Sequence, residues 1–164
     1  MNLASRDAST ALAHLDAVLR PTTGGNAVAE VCRFLRRTFP WYRWVGVYEL
    51  RGNVLDLVAW DGPAATEHTR IPIGSGVCGR AAREGHTVVV DDVRAAPEYL
   101  ACFRETRSEI VVPIHQGSRV LGEIDIDGNE VGAFDGSDQA FLERVAGKLS
   151  AVLARGAEAS GPLD

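Results

Sequence analysis

The sequence has no long apolar run. Its longest uninterrupted apolar stretches, such as residues 110–114, fall far short of the roughly 20 residues that a membrane-spanning helix requires. The first residues also lack an apolar segment behind a basic start, which is the pattern of a secretory signal. We therefore expect a cytoplasmic protein that does not enter a membrane.

An excess of basic residues is missing as well. The chain carries 17 Lys and Arg against 22 Asp and Glu, which gives a formal net charge of -5 at pH 7. Nucleic-acid binding needs a positive surface that displaces counterions from the phosphates. The composition therefore argues against a nucleic-acid partner.

Cysteine is scarce, and its spacing matches no common motif. The three cysteines, Cys32, Cys78 and Cys102, form no CxxC pair, so the sequence predicts neither a zinc motif nor a disulfide framework. The histidines share no metal-ligand spacing either, and no metal site is predicted. Cys32 lies on the apolar stripe of a predicted helix, which makes it a core residue. Cys78 and Cys102 remain as candidates for chemistry.

What the sequence does contain is enough for one folded domain. Its 164 residues are 46% hydrophobic and 24% charged, which is typical of a soluble domain with a single core. We find no repeat and no linker. The prediction is one domain over residues 1–164, with its core at about 26–155 and a flexible tail at 156–164.

Apolar spacing alternates between helical and strand-like segments along the chain. The predicted strands are 45–48, 54–59, 70–73, 87–90, 108–114 and 119–127. The predicted helices lie before Pro21, between Asn26 and Pro40, at 77–84 before Gly85, as a turn at 95–101, and after Asp135 or Ser137. This order predicts an α+β fold in which helices flank an antiparallel sheet.

The last predicted strand carries carboxylates at a spacing of two. Strict alternation places these side chains on one face: Leu121, Glu123, Asp125 and Asp127. With a loop of Gln116–Ser118, Glu109 would face Asp125 on that side, whereas a loop one residue different would turn it away. Opposed like charges destabilise by up to about 1 kcal/mol, a penalty that a cationic ligand or protonation removes. The alternative is a solvated outer face of the sheet.

Three further residues are candidates for chemistry. Cys78 lies in the first turn of a short helix, where the dipole favours thiolate; alternatively, it fills a tight glycine-rich turn. Cys102 has Arg104 and Arg107 nearby to lower its pKa, or it is a buried filler. His68 is either an acid or base near neutral pH or an exposed loop residue.

From about residue 28 to 153, the chain resembles the GAF domain. This domain is a small-molecule-binding α+β fold related to PAS domains. The resemblance rests on residues 44–48, 71–79, 108–113 and 122–127. Within that family the pattern is most similar to the free methionine-(R)-sulfoxide reductases, which are single GAF domains of about this length. The cysteines at 78 and 102, together with Asp125 and Asp127, are the more specific part, since generic GAF sensors share the rest.

The resemblance implies a role for each matching position. Cys102 takes the place of the nucleophile and Cys78 that of a second family cysteine. The positions that bind the substrate or donate a proton are matched by Glu109, Asp125, Asp127 and Trp44. His68 stands where a third, resolving cysteine is usual, so Cys78 or an external thiol would resolve.

The implied chemistry uses no bound cofactor. Carboxylates would hold the ammonium group of a free amino-acid-like substrate, and a protonated one would donate to the sulfoxide oxygen. A sulfenic acid and then a disulfide would follow, with thioredoxin or another thiol as external reductant. A homodimer is compatible with this chemistry. The alternatives are a non-catalytic GAF sensor that binds a small metabolite in signalling, and a purely structural interaction domain.

Overall fold

Six strands form one antiparallel sheet in the computed structural model, which describes residues 3–20, 26–96 and 103–159. The strands are β1 (Trp44–Arg51), β2 (Val54–Asp61), β3 (Arg70–Pro72), β4 (Val88–Val90), β5 (Ser108–Gln116) and β6 (Arg119–Gly128). The helices are α1 (Ser5–Val18), α2 (Ala27–Thr38), α3 (Gly76–Glu84) and α4 (Gly136–Ala159). The strand order is β3-β2-β1-β6-β5-β4, and the predicted α+β fold is confirmed.

The two faces of the sheet bury different sets of side chains. Alternation along the central strands sends Val45, Val47, Ile110, Val112, Ile124 and Ile126 into the core beneath α1, α2 and α4. Cys32 lies in this core with no exposed surface, and burial raises the pKa of its thiol to about 12. Cys32 is a core residue, as predicted. The opposite face of the sheet packs against α3 and the connections around it.

The start of α4 is tied to the entrance of β1. The Asp135 carboxylate accepts hydrogen bonds from the backbone N–H of Ser137 at 2.9 Å and of Asp138 at 3.3 Å, so Asp135 rather than Ser137 caps the helix. Asp138 in turn accepts from Trp41 Nε1 at 2.9 Å and from the Tyr42 hydroxyl at 2.8 Å. These bonds fix the chain just before β1 turns into the sheet.

The hairpin of β5 and β6 differs from its prediction in one detail, which changes the face of the sheet on which one side chain lies. Its turn is Gly117–Ser118, because Gln116 pairs with Arg119. The register then shifts by one residue between His115, which pairs with Val120, and Ile114, which pairs with Gly122. Leu121 is the extra residue of this bulge. Its side chain lies in the core under the helices, so the prediction that Leu121 shares the carboxylate face is wrong.

Two element boundaries also differ from the sequence prediction. A single 3₁₀ turn at Val93–Ala95 stands before the predicted helical turn at 95–101, of which residues 97–101 lie outside the described part of the chain. At the other end, α4 continues to Ala159 and passes the predicted boundary at Gly156.

Candidate active site

Four carboxyl side chains of β5 and β6 lie side by side on the face opposite the helical core. This acidic stripe consists of Glu109, Glu123, Asp125 and Asp127, each 5% exposed or less. The predicted common face is therefore correct, although Glu109 is directly opposite Asp127 and not Asp125, which pairs with Val111. The alternative of a solvated outer face is wrong.

Burial changes the ionisation of the stripe. It raises the pKa of Glu123, Asp125 and Asp127, because a carboxylate in this site has lost its hydration. The charge of Asp125 raises the pKa of Glu123 and Asp127 further. Among the described residues, neither oxygen of Glu123 nor Oδ1 of Asp125 has a hydrogen-bond partner. Burial therefore favours the protonated form of these three carboxyl groups, and three of their oxygens have no hydrogen-bond partner within the described part of the chain.

Cys78 faces the stripe from the first turn of α3. Its Sγ lies 3.9 Å from Oε1 of Glu109, and the side chain is 4% exposed. Burial, followed by the charges of Asp125 and Glu123, raises the pKa of the thiol well above its usual value. The helix-dipole argument for a thiolate is therefore wrong here, because loss of solvation outweighs an effect of about 0.3–1 kcal/mol.

His68 reaches the same place from the connection between β2 and β3. Tyr48, on β1, donates a hydrogen bond from its hydroxyl to the backbone oxygen of His68 at 2.8 Å, and Thr66 Oγ1 accepts from the backbone N–H of His68 at 3.0 Å. These contacts fix the backbone of the loop. His68 lines a small cavity, the thiol cavity, together with Cys78, Glu109 and Asp125, so His68 is not simply an exposed loop residue.

Trp44 lies in a slot that glycines make possible. A Cβ on Gly46 would meet the indole ring at 2.4 Å, and one on Gly62 would meet it at 2.3 Å. Trp60 is stacked with the ring at a centroid distance of 6.3 Å, and Phe103 lies 6.0 Å away. The Trp44 Nε1 atom is buried and has no hydrogen-bond partner among the described residues, so a donor is available here.

Next to the thiol cavity is a larger one, the tryptophan cavity. Its volume is about 290 Å³, and its lining includes Trp44, Phe103, Thr106 and Asp127. Thr106 donates a long hydrogen bond of 3.5 Å from its hydroxyl to Oδ2 of Asp127. Since Asp125 and Asp127 are two residues apart on one strand, both cavities open onto the same acidic stripe. The arrangement suits a small molecule with a cationic end and an apolar body.

The structure thus brings together most of the residues singled out in the sequence. Cys78, His68, Glu109 and Asp125 meet at the thiol cavity, and Trp44 and Asp127 meet at the tryptophan cavity. Cys102 lies outside the described residues. Its role and those of the other candidate residues stay predictions.

Sequence reasoning missed several supporting residues. Glu123, although placed on the correct face, was not a candidate, and Tyr48, Gly62 and Thr106 were not considered. Alternation along β1 carries a signal for Tyr48, because it lies four residues after Trp44 on the same face. Nothing in the local sequence indicates that Gly62 and Thr106 approach this site.

The chain matches the sequence model of the GAF domain over residues 22–154. It belongs to the GAF domain family. One similar protein is the free methionine-R-sulfoxide reductase of Saccharomyces cerevisiae, 42% identical over 107 residues, which cover 63% of this chain and 58% of that protein. Protein YtsP of Bacillus subtilis is 32% identical over 92% of this chain and 93% of that protein.

A solved structure extends this similarity over nearly the full GAF protein. The X-ray structure of free methionine-R-sulfoxide reductase from Neisseria meningitidis in complex with its substrate has a TM-score of 0.82 and 36% sequence identity. The match covers 96% of this chain and 97% of that chain. The predicted resemblance to the GAF family, and within it to these reductases, is confirmed.

Among the described residues, none of the helices combines the length and apolar character that crossing a bilayer requires.

Proposed function

We propose that this GAF protein reduces free methionine-(R)-sulfoxide to methionine, with protein thiols as the source of electrons. The observation that carries the proposal is Asp127, a buried carboxyl that lines the tryptophan cavity and whose pKa burial raises well above its usual value. Burial favours the protonated form of this group, which can donate a proton to a sulfoxide oxygen. The similarity to proteins named as reductases of this substrate supports the same function.

Substrate binding follows from the charges and shapes of the two cavities. Glu109 and Asp125 would hold the ammonium group, because a cation offsets the repulsion between carboxylates buried together. The methyl and sulfur of the substrate would lie against Trp44 and Phe103, since sulfur packs well beside aromatic rings. This placement brings the sulfoxide oxygen to Asp127.

The chemistry needs two thiols and forms one water. Thiolate attack on the sulfoxide sulfur, with protonation of the oxygen by Asp127, releases methionine and leaves a cysteine sulfenic acid. A second thiol displaces water from the sulfenic acid and forms a disulfide. Two thiols are thereby oxidised, and the sulfoxide is reduced to a thioether.

The buried thiol of Cys78 supports different roles for Cys78 and Cys102 in the reaction. Because a raised pKa disfavours the attacking thiolate, we assign the nucleophile to Cys102 and the second thiol to Cys78. His68 lines the thiol cavity together with Cys78, and we assign to it the acceptance of the proton that Cys78 loses when the disulfide forms.

An external dithiol must then restore the two cysteines. We propose thioredoxin for this step, which places the protein in the reducing cytoplasm. No bound cofactor is needed for the cycle. A homodimer is compatible with this function, and the reaction as written requires only one chain.

The decisive experiment is a turnover assay with free L-methionine-(R)-sulfoxide, in which thioredoxin and thioredoxin reductase couple reduction to oxidation of NADPH. We expect turnover of the R epimer and none of the S epimer. Cys102→Ser should abolish the activity, and Asp127→Asn should lower kcat about 100-fold or more because the proton donor is lost.

The matched control for the cysteine variant is Cys32→Ala, since Cys32 lies in the core on the other side of the sheet. This variant should keep its activity per folded molecule. Unchanged turnover in Cys102→Ser would overturn the nucleophile assignment. A wild-type protein that gives no turnover, yet melts at a higher temperature when a metabolite is added, would be a sensor and not a reductase.

A further inference from the structure

The thiol cavity brings together donor atoms from three buried residues. Cys78 Sγ, a carboxylate oxygen of Glu109 and one of Asp125 all lie within 4.8 Å of one another, and all three residues are buried. His68 lines the same cavity. Thiolate, carboxylate and imidazole are the ligands that Zn²⁺ takes in proteins.

We propose that Cys78, Glu109, Asp125 and His68 form a binding site for one Zn²⁺ ion. The three donors come from α3, β5 and β6, and His68 comes from the loop between β2 and β3. Spacing along the chain predicts no metal motif, because each ligand belongs to a different element. Only the packing of α3 on the sheet brings them together.

An unused acceptor atom points to a ligand at this place. Asp125 is 3% exposed, and its Oδ1 has no hydrogen-bond partner among the described residues. A buried oxygen left in this state destabilises the fold. A cation in the cavity would bind this oxygen and remove that destabilisation.

The distances already approach those of a tetrahedral site. Zinc bonds of about 2.3 Å to sulfur and about 2.0 Å to oxygen place neighbouring ligand atoms about 3.5 Å apart. The Cys78 sulfur and Glu109 Oε1 are 3.9 Å apart. Small side-chain rotations would bring the donor atoms of Cys78, Glu109 and Asp125 to zinc distance, and the His68 ring, which lies outside that group of donors, would turn inward as the fourth ligand.

The size of the thiol cavity fits one ion, and Zn²⁺ would take the place that the substrate ammonium group occupies at Glu109 and Asp125. The volume of the cavity is about 10 Å³, roughly the 10–15 Å³ that one enclosed water needs. The charge also fits, since one thiolate and two carboxylates around Zn²⁺ leave a site of net charge -1, and the thiol proton leaves when the metal binds. Zinc binding should accordingly release this proton.

The test is titration of the reduced full-length protein with Co²⁺, followed by displacement with Zn²⁺. Cobalt serves as the spectroscopic probe because a thiolate ligand gives a charge-transfer band in the near ultraviolet, and a tetrahedral site gives strong visible bands. We expect both signals at one equivalent of Co²⁺ and their loss at one equivalent of Zn²⁺.

Single substitutions test which side chains bind the metal ion. Cys78→Ser should abolish the charge-transfer band, whereas the matched Cys32→Ala should retain it. Asp125→Asn and His68→Ala should each weaken binding at least about tenfold, while His86→Ala, which removes an exposed histidine outside the site, should bind as the wild type does. Circular dichroism verifies the fold of each variant.

The outcomes are separable from those of the proposed function, because the titration measures binding without turnover. Absence of the thiolate band in wild-type protein, or its persistence in Cys78→Ser, would overturn the zinc site whatever the reductase assay shows. An unchanged affinity in His68→Ala would overturn the fourth ligand. A protein that binds one Co²⁺ through Cys78 but does not reduce methionine sulfoxide would retain the zinc site and lose the reductase assignment.

Discussion

Glu123 is fully buried, and burial raises its pKa well above the ordinary value of 4.5. In the unfolded chain the group ionises above that pH, while the folded protein keeps its proton. Unfolding therefore releases a proton, and the free energy of unfolding falls by about 1.4 kcal/mol for each pH unit between the unfolded and the folded pKa. Glu123→Gln mimics the neutral acid. We therefore expect the free energy of unfolding of the variant to lack this contribution to its pH dependence.

Urea denaturation between pH 5 and pH 8 measures this effect. The variant should gain stability over the wild type as the pH rises, and differ little near pH 5. Glu130→Gln is the matched control, because its side chain is exposed and lies just after the same strand. Parallel pH profiles for wild type and Glu123→Gln would show that Glu123 ionises freely in the folded protein.

At the residue scale, the sequence predicted which face of a strand a side chain lies on. It did not predict ionisation states, because these depend on burial. The common face of Asp125 and Asp127 follows from a spacing of two, whereas the face of Glu109 depends on the hairpin register. It was predicted from a three-residue loop, and the structure reaches the same parity with a two-residue turn and a bulge at Leu121. The protonated state of Cys78 could not be predicted, because desolvation depends on the packing of α3 against the sheet and not on the local sequence.

At the scale of elements, the slot for Trp44 depends on the close approach of two glycines. A Cβ at Gly62 would lie 2.3 Å from the indole, so Gly62→Ala must displace Trp44 or the chain after β2. Such overpacking costs about 1–3 kcal/mol. If Trp44 holds the substrate, we expect KM for methionine-(R)-sulfoxide to rise about tenfold, with a smaller change in kcat.

Steady-state kinetics beside a matched glycine variant checks this prediction. Gly147 lies within α4 and has open space around its Cβ position, so Gly147→Ala should leave KM unaltered and keep or raise stability. If Gly62→Ala and Gly147→Ala have the same KM as the wild type, Trp44 does not position the substrate.

Most elements could be predicted because each carries a local signal. Apolar alternation located β5 and β6, helical spacing located α2 and α4, and Gly85 marked the end of α3 with a positive φ of 73°. The assembly of α3 and the loop at His68 over the acidic stripe had no such signal. It depends on tertiary contacts such as the bond from the Tyr48 hydroxyl to the His68 carbonyl.

At the scale of the whole molecule, one face of the sheet contributes most of the apolar core and the other face carries the candidate active site. The helix-covered face holds the larger apolar core, including Cys32, whereas the other face holds a smaller apolar cluster beside the buried carboxyls. Buried acids with raised pKa values oppose folding above the pH at which the unfolded chain ionises. Retaining three such acids beside the buried Glu109 is consistent with selection for a cationic ligand and not for stability.

This division predicts which ligands stabilise the molecule. Cys102→Ser protein, which should bind without turnover, is heated with free L-methionine-(R)-sulfoxide or with its N-acetyl derivative. At a ligand concentration of 100 Kd the free amino acid should add about 2.7 kcal/mol, a rise in Tm of about 5–10 °C. The N-acetyl derivative lacks the ammonium group that the buried carboxyls require, so its shift should be close to zero. Equal shifts for the two ligands would mean that the stripe does not recognise the amino group, because only that group differs between them.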